Sequence, residues 1–191
     1  MFKSFLVALD GSTTSNAGLK TALELARAQG GKIIGLHVID DRGILINIQE
    51  DQLPARYFDK LYTAMRTRGQ TVLAKAETAA RKAGMQMVPL LADCRGKMVA
   101  EAILDQAQMT KADMIVMGTH GRRGLARTIM GSTAEEVLRE AEVPVLLVRS
   151  PRPRKRKATP LPKAASFQKT SRSRAPVRRA RLGQVPDRAA A

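Results

Sequence analysis

The sequence predicts an α/β fold: a five-stranded parallel, doubly wound sheet followed by a basic C-terminal tail expected to be disordered. Three observations carry this reading. Five short apolar runs lack polar alternation, as strands do when both faces are covered. Helical patterns separate them in strict alternation, which implies right-handed crossovers. Composition then changes sharply after Arg149.

The first strand is Phe5 to Leu9, ending at Asp10-Gly11-Ser12, and Lys32 to Ile39 is the second. Val88 to Ala92, Met114 to Met117 and Val143 to Val148 complete the set. The helices are Asn16 to Ala28, about Leu53 to Lys82, Lys97 to Gln108 and Thr133 to Ala141. In the long one, Tyr57, Leu61, Met65, Val72, Ala76 and Ala80 form one stripe at helical period. A domain spanning residues 1–149 is large enough to bury a core. In such sheets ligands bind beyond the carboxyl ends of strands, near the topological switch point. Asp10, Val38 and Met117 with Gly118 stand at three strand ends.

Residues 150–191 form another physical class, with thirteen Lys or Arg against one acid, Asp187, and a single aromatic, Phe167. Their net charge of +12 leaves +4 of the chain's +16 for the domain. Such a segment cannot bury enough apolar surface to offset the entropy of ordering. Two readings stay open: a polycation that neutralises nucleic-acid or membrane phosphates, or a solvated tail without a dedicated partner.

No apolar run approaches the roughly 20 residues that span a bilayer, and the N-terminal MFKSFLVALDGS reads as a strand, not a signal peptide. The chain is expected to be cytoplasmic. One cysteine, Cys94, excludes an internal disulfide and any CxxC pair. It reads as an ordinary small residue after the third strand. His37, inside the second strand and without a ligand partner in sequence, reads as a packed side chain.

The segment Met117 to Thr133, MGTHGRRGLARTIMGST, lies between the fourth strand and the last helix. Gly118, Gly121 and Gly131 are expected to use positive φ there and let backbone N–H groups approach an oxyanion. Ser132 and Thr133 open the helix, adding hydroxyls and the positive end of its dipole. This arrangement suits a nucleotide phosphate. Neither common phosphate motif fits: no lysine completes GxxxxGK(S/T), and Gly118, Gly121 and Gly124 fall three apart, not in GxGxxG order. The spacing present is G-x2-G-x9-G-(S/T), filled by Gly118, Gly121, Gly131 and Ser132. His120 either faces phosphate or points to solvent, and Arg122 and Arg123 either pair with a triphosphate or stay solvated. Ser132 also has a structural reading, because Ser132 to Glu135 matches an S-x-x-E capping box. Asp10 likewise is either a ribose or metal ligand or a cap for the helix beginning near Ser12.

That glycine spacing, with FLVALDGS, KIIGLHVID and VPVLLVR in order, resembles the nucleotide-binding branch of the universal stress protein family over residues 1–149. The resemblance implies a Rossmann-like, adenine nucleotide alpha hydrolase-like fold that binds ATP, with Mg carried on the phosphates. It implies Asp10 and Val38 beside ribose and adenine, with Met117, Gly118, Gly121, Gly131, Ser132 and Thr133 around ribose and phosphates. It also implies a homodimer through the last strand, where an uncovered apolar edge would invite pairing. Two features depart from the family pattern: Gly96 falls late in DCRGKMVAEAI, and the basic tail continues past the last strand.

Nothing resembles a catalytic triad, a carboxylate acid–base pair or a nucleophile elbow. No dedicated catalysis is predicted, although the resemblance permits slow ATP hydrolysis or self-phosphorylation at Ser132 or Thr133. The preferred reading is a nucleotide-dependent stress-response or regulatory binding protein, with ATP ordering the Thr119 to Met130 loop and altering a surface offered to partners. The alternative is a nucleic-acid-associated protein that works through its tail, the α/β domain serving as a dimerising scaffold.

Overall fold

Residues 1–42, 55–120 and 130–149 are described by a computed structural model. Their strands are β1 (Ser4–Ala8), β2 (Lys32–Ile39), β3 (Met87–Asp93), β4 (Met114–Gly118) and β5 (Val145–Val148). The helices between them are α1 (Thr13–Gln29), α2 (Ala55–Lys82), α3 (Val99–Met109) and α4 (Ser132–Glu140). All four strand pairings are parallel, in the order β3-β2-β1-β4-β5. The order reverses direction between β1 and β4, so the switch point of this doubly wound sheet lies at their carboxyl ends.

The unbroken apolar runs have a direct cause. Phe5, Val7 and Leu9 pack with α1 and α2 on one face, while Leu6 and Ala8 pack with α3 and α4 on the other. Register between β1 and β4 is reinforced below the sheet, where the Asp113 carboxylate accepts from the N–H groups of Lys3 (2.7 Å) and Ser4 (2.8 Å). Two closely spaced N–H donors hold that carboxyl below its ordinary range. β3 and β5 are the edges. Pro89 is tolerated in β3 because the strand pairs on one side only, with β2. β5 begins at Val145, two residues later than expected, because Pro144 has no N–H to offer and contributes its carbonyl to Ile115 N (3.0 Å).

Three helix starts differ from expectation. α1 begins at Thr13, three residues before Asn16, because Ser12 caps it by accepting from Ser15 N (3.1 Å). α3 begins at Val99, not Lys97; the Glu101 carboxylate reaches back to Met98 N (2.6 Å), and Lys97 pairs instead with Asp105. At α4 the expected S-x-x-E box does not form. Gly131 is the N-cap, Ser132 is already the first helical residue, and no side chain caps the helix.

The stripe of α2 is also corrected. Tyr57 (54% exposed) and Leu61 (50%) face outward, and the buried line runs through Phe58, Gly69, Leu73, Ala76 and Ala80. Gly69 belongs to it because a β-carbon there would stand 2.6 Å from both His37 Cδ2 and Leu91 Cδ1. The helix thus approaches β2 and β3 too closely for any side chain at that point. Leu53, the expected start, lies outside the described residues. No helix among the described residues is long and apolar enough to cross a membrane.

Candidate functional site

At the carboxyl end of β1 the chain turns sharply. Leu9 still pairs with Leu36 O (2.7 Å), and Leu9 O accepts from His37 Nδ1 (2.6 Å). A carbonyl can only accept, so this bond fixes the proton on Nδ1 and accounts for the buried imidazole as structural. The Asp10 carboxylate accepts from Ser12 N (2.9 Å), and Gly11 takes φ +80°. Asp10 therefore shapes the turn, and the helix cap belongs to Ser12.

One strand away, β4 ends at Met117, which is buried, and Gly118. Neither Gly118 nor Gly131 adopts positive φ, contrary to expectation. Gly118 is required for packing: a β-carbon there would lie 2.8 Å from Thr14 Cβ and 3.0 Å from Ser15 N. At Gly18, by contrast, an added β-carbon would make only ordinary contact with Met117, its carbonyl carbon 3.7 Å away. The amino end of α1 is pressed against the end of β4 at Gly118.

Hydroxyls complete the link. Thr14, buried in the helix, donates to the carbonyl oxygen of His120, and its Oγ1 lies 2.9 Å from Ser12 Oγ. Ser12, Thr14 and Thr119 are the members of this network that sequence reasoning did not single out. The signal available was the hydroxyl-rich run Ser12 to Ser15 directly after an Asp-Gly turn.

Beyond Gly118, Thr119 N pairs with Val148 O (3.0 Å), and Thr119 O accepts from Gly131 N (2.9 Å). The chain that leaves at His120 therefore returns to the same point at Gly131. Gly121, Arg122 and Arg123, between them, lie outside the described residues. With Gly131 at φ −70°, ψ 142° and no side-chain cap, the first N–H groups of α4, at Ser132 and Thr133, have no intrahelical acceptor. They sit at the positive end of the helix dipole. His120 adds a second unsatisfied group: Nδ1 lies 2.8 Å from Thr119 Oγ1, while Nε2 is buried without a hydrogen-bond partner among the described residues. If the Thr119 hydroxyl donates to Nδ1, Nε2 carries the proton and is a donor.

Of the expected site residues, the fold links Asp10 to Gly118 through Ser12, Thr14 and His120, and links Gly118 to Gly131, Ser132 and Thr133 through Thr119. Val38 stands one strand further out, paired in register with Ala92, and packs partly buried on the α3/α4 face. Cys94 is buried after β3, and desolvation with the charges of Asp40 and Asp41 pushes its thiol up to about 11. It is a packed thiol, as expected. No group of three or more His, Cys, Asp or Glu side chains that could hold a metal occurs among the described residues.

Comparison with known proteins agrees with this architecture. The universal stress protein family matches residues 1–149. A universal stress protein of Thermus aquaticus is 34% identical over 149 residues, covering 78% of this chain and all of the relative. A solved member of the family from Burkholderia pseudomallei is 32% identical with a TM-score of 0.61, covering 77% of this chain and 96% of that one. The universal stress protein of Archaeoglobus fulgidus solved in complex with dAMP shares the fold, with TM-score 0.55 and 23% identity over 78% of this chain and 98% of that one. The chain belongs to the universal stress protein family.

Proposed function

We propose that the chain binds ATP at the switch point and acts as a nucleotide-dependent regulatory protein. The observation that carries this reading is the uncapped amino end of α4, held beside the end of β4 by the Gly131 N–Thr119 O bond. Helix N–H groups without intrahelical acceptors, at the positive end of a dipole, are an anion site. His120 Nε2, with no hydrogen-bond partner among the described residues, is a further donor for a phosphate oxygen when it carries the ring proton. A Rossmann-type relative holding dAMP supports adenine as the base.

In this reading Asp10 and Val38 meet ribose and adenine, Met117 and Gly118 line the ribose side, and Gly121, Gly131, Ser132 and Thr133 surround the phosphates. Mg is carried by the phosphates and supplies charge neutralisation when bound. Turnover is at most slow, since positioned donors without a general base bind phosphate well and activate water poorly. Assembly through β5, a sheet edge with one partner strand, gives a homodimer.

A second reading makes the tail primary, favoured by its thirteen Lys or Arg among residues 150–191. Calorimetry with Mg-ATP and a duplex-DNA titration, each on the full chain and on a chain ending at Arg149, separate the two. The first reading expects equal ATP affinity in both chains. The second expects DNA affinity that falls steeply with salt and disappears on truncation.

A further inference from the structure

Between α1 and α2, on the sheet face opposite α3 and α4, a groove of about 760 Å3 separates the two helices. Leu23 of α1 and Val72, Ala76 and Ala79 of α2 line it. It exists because α2 presents alanines where longer side chains would close the gap. Lys20 stands on the α1 side and Arg68 and Lys75 on the α2 side. All three are exposed, and none makes an ion pair among the described residues. Asp10 is the one acid among the described lining residues, and it already binds Ser12 N. The bias extends along α2, which carries seven Lys or Arg against two acids.

We propose that this groove receives an acidic amphipathic helix of a partner protein. The lining runs from Arg68 on α2 to Ala83, one residue past its end, about 22 Å or four turns at 1.5 Å per residue. Two parallel helical walls with an apolar floor between them fit a third helix laid by its apolar face, with anchors at i, i+3/i+4 and i+7. Cations on both walls select acids flanking that apolar stripe, and Arg68 and Lys75, two turns apart, match acids at i and i+7. The inference does not depend on nucleotide binding.

The test uses a blocked synthetic peptide of about 18 residues, with leucines at helical spacing, glutamates beside them and one tryptophan. The chain has no tryptophan, so fluorescence excited selectively at tryptophan reports the peptide alone. A scrambled peptide of the same composition measures attraction to the basic tail, and all titrations use the full chain without nucleotide. The patterned peptide is expected to bind about tenfold tighter than the scrambled one. Two variants, each checked for fold by circular dichroism, should erase that preference: Lys20→Glu with Lys75→Glu, and Ala79→Leu, which fills the groove with charge unchanged. Equal binding of the two peptides would overturn the proposal, as would a preference that survives both variants. Ala79→Leu-sensitive binding of phosphatidylglycerol vesicles without a peptide preference would overturn it in favour of a lipid surface.

Discussion

A β-carbon on Gly118 would stand 2.8 Å from Thr14 Cβ, so the amino end of α1 and the carboxyl end of β4 meet with no space for a side chain. The obstruction includes Ser15 N at 3.0 Å, which is backbone and cannot swing aside. Gly118→Ala should therefore destabilise the domain by about 1–3 kcal/mol through overpacking. Urea unfolding checks it: the midpoint should fall with little change in slope. An unaltered midpoint would mean that α1 yields freely.

Thr14 makes a second contact across the same joint, donating its hydroxyl to His120 O. Thr14→Val keeps the volume and removes the donor, leaving a part-buried carbonyl unmatched at a cost of about 1–3 kcal/mol. Hydrogen exchange should report faster exchange at Thr119 and Gly131, the amides next to the released segment, while the centre of β2 stays protected. Uniform protection would show that Thr14 does not hold this segment.

Cys94 gives a pH prediction. Its folded thiol is raised from 9.0 to about 11. The neutral form is favoured by the fold, so this contribution is complete below about pH 9 and is lost as pH rises through about 11. The loss is on the order of 2 kcal/mol. Unfolding free energies of the wild type and Cys94→Ala should diverge in pH dependence across that window. Native protein at pH 8 should react with a thiol reagent far more slowly than unfolded protein. Equal rates would contradict the burial that raises the thiol.

Much of the fold was legible because a parallel sheet covered on both faces leaves unbroken apolar runs, as in Phe5 to Leu9. Strand order was not, since a crossover pattern alone leaves open on which side of β1 each strand lies. The stripe of α2 was misplaced at its amino end, where Phe58 is buried and Tyr57 and Leu61 are not, and Gly69 was passed over because it contributes by absence, beside His37 and Leu91, where an apolar pattern registers nothing. Asp10, Gly118 and Gly131 were legible as residues but not in their local roles. Steric fit of Gly118 to Thr14 and capping by Ser12 depend on helix placement that sequence spacing does not encode.

Phosphate binding at the switch point uses the N–H groups of α4 that have no intrahelical acceptor. Gly131 has the extended φ −70°, ψ 142° that an aspartate N-cap adopts. Gly131→Asp should give α4 its missing cap, leaving stability unchanged or higher by about 0.5 kcal/mol. The same carboxylate would occupy the donors and repel a phosphate. Calorimetry with Mg-ATP on the intact wild type and Gly131→Asp chains, alongside thermal unfolding, is the most direct measurement. The account predicts ATP binding by the wild type and its loss in an equally stable variant. Undiminished binding by Gly131→Asp, or a folded wild type that ignores ATP, would contradict it.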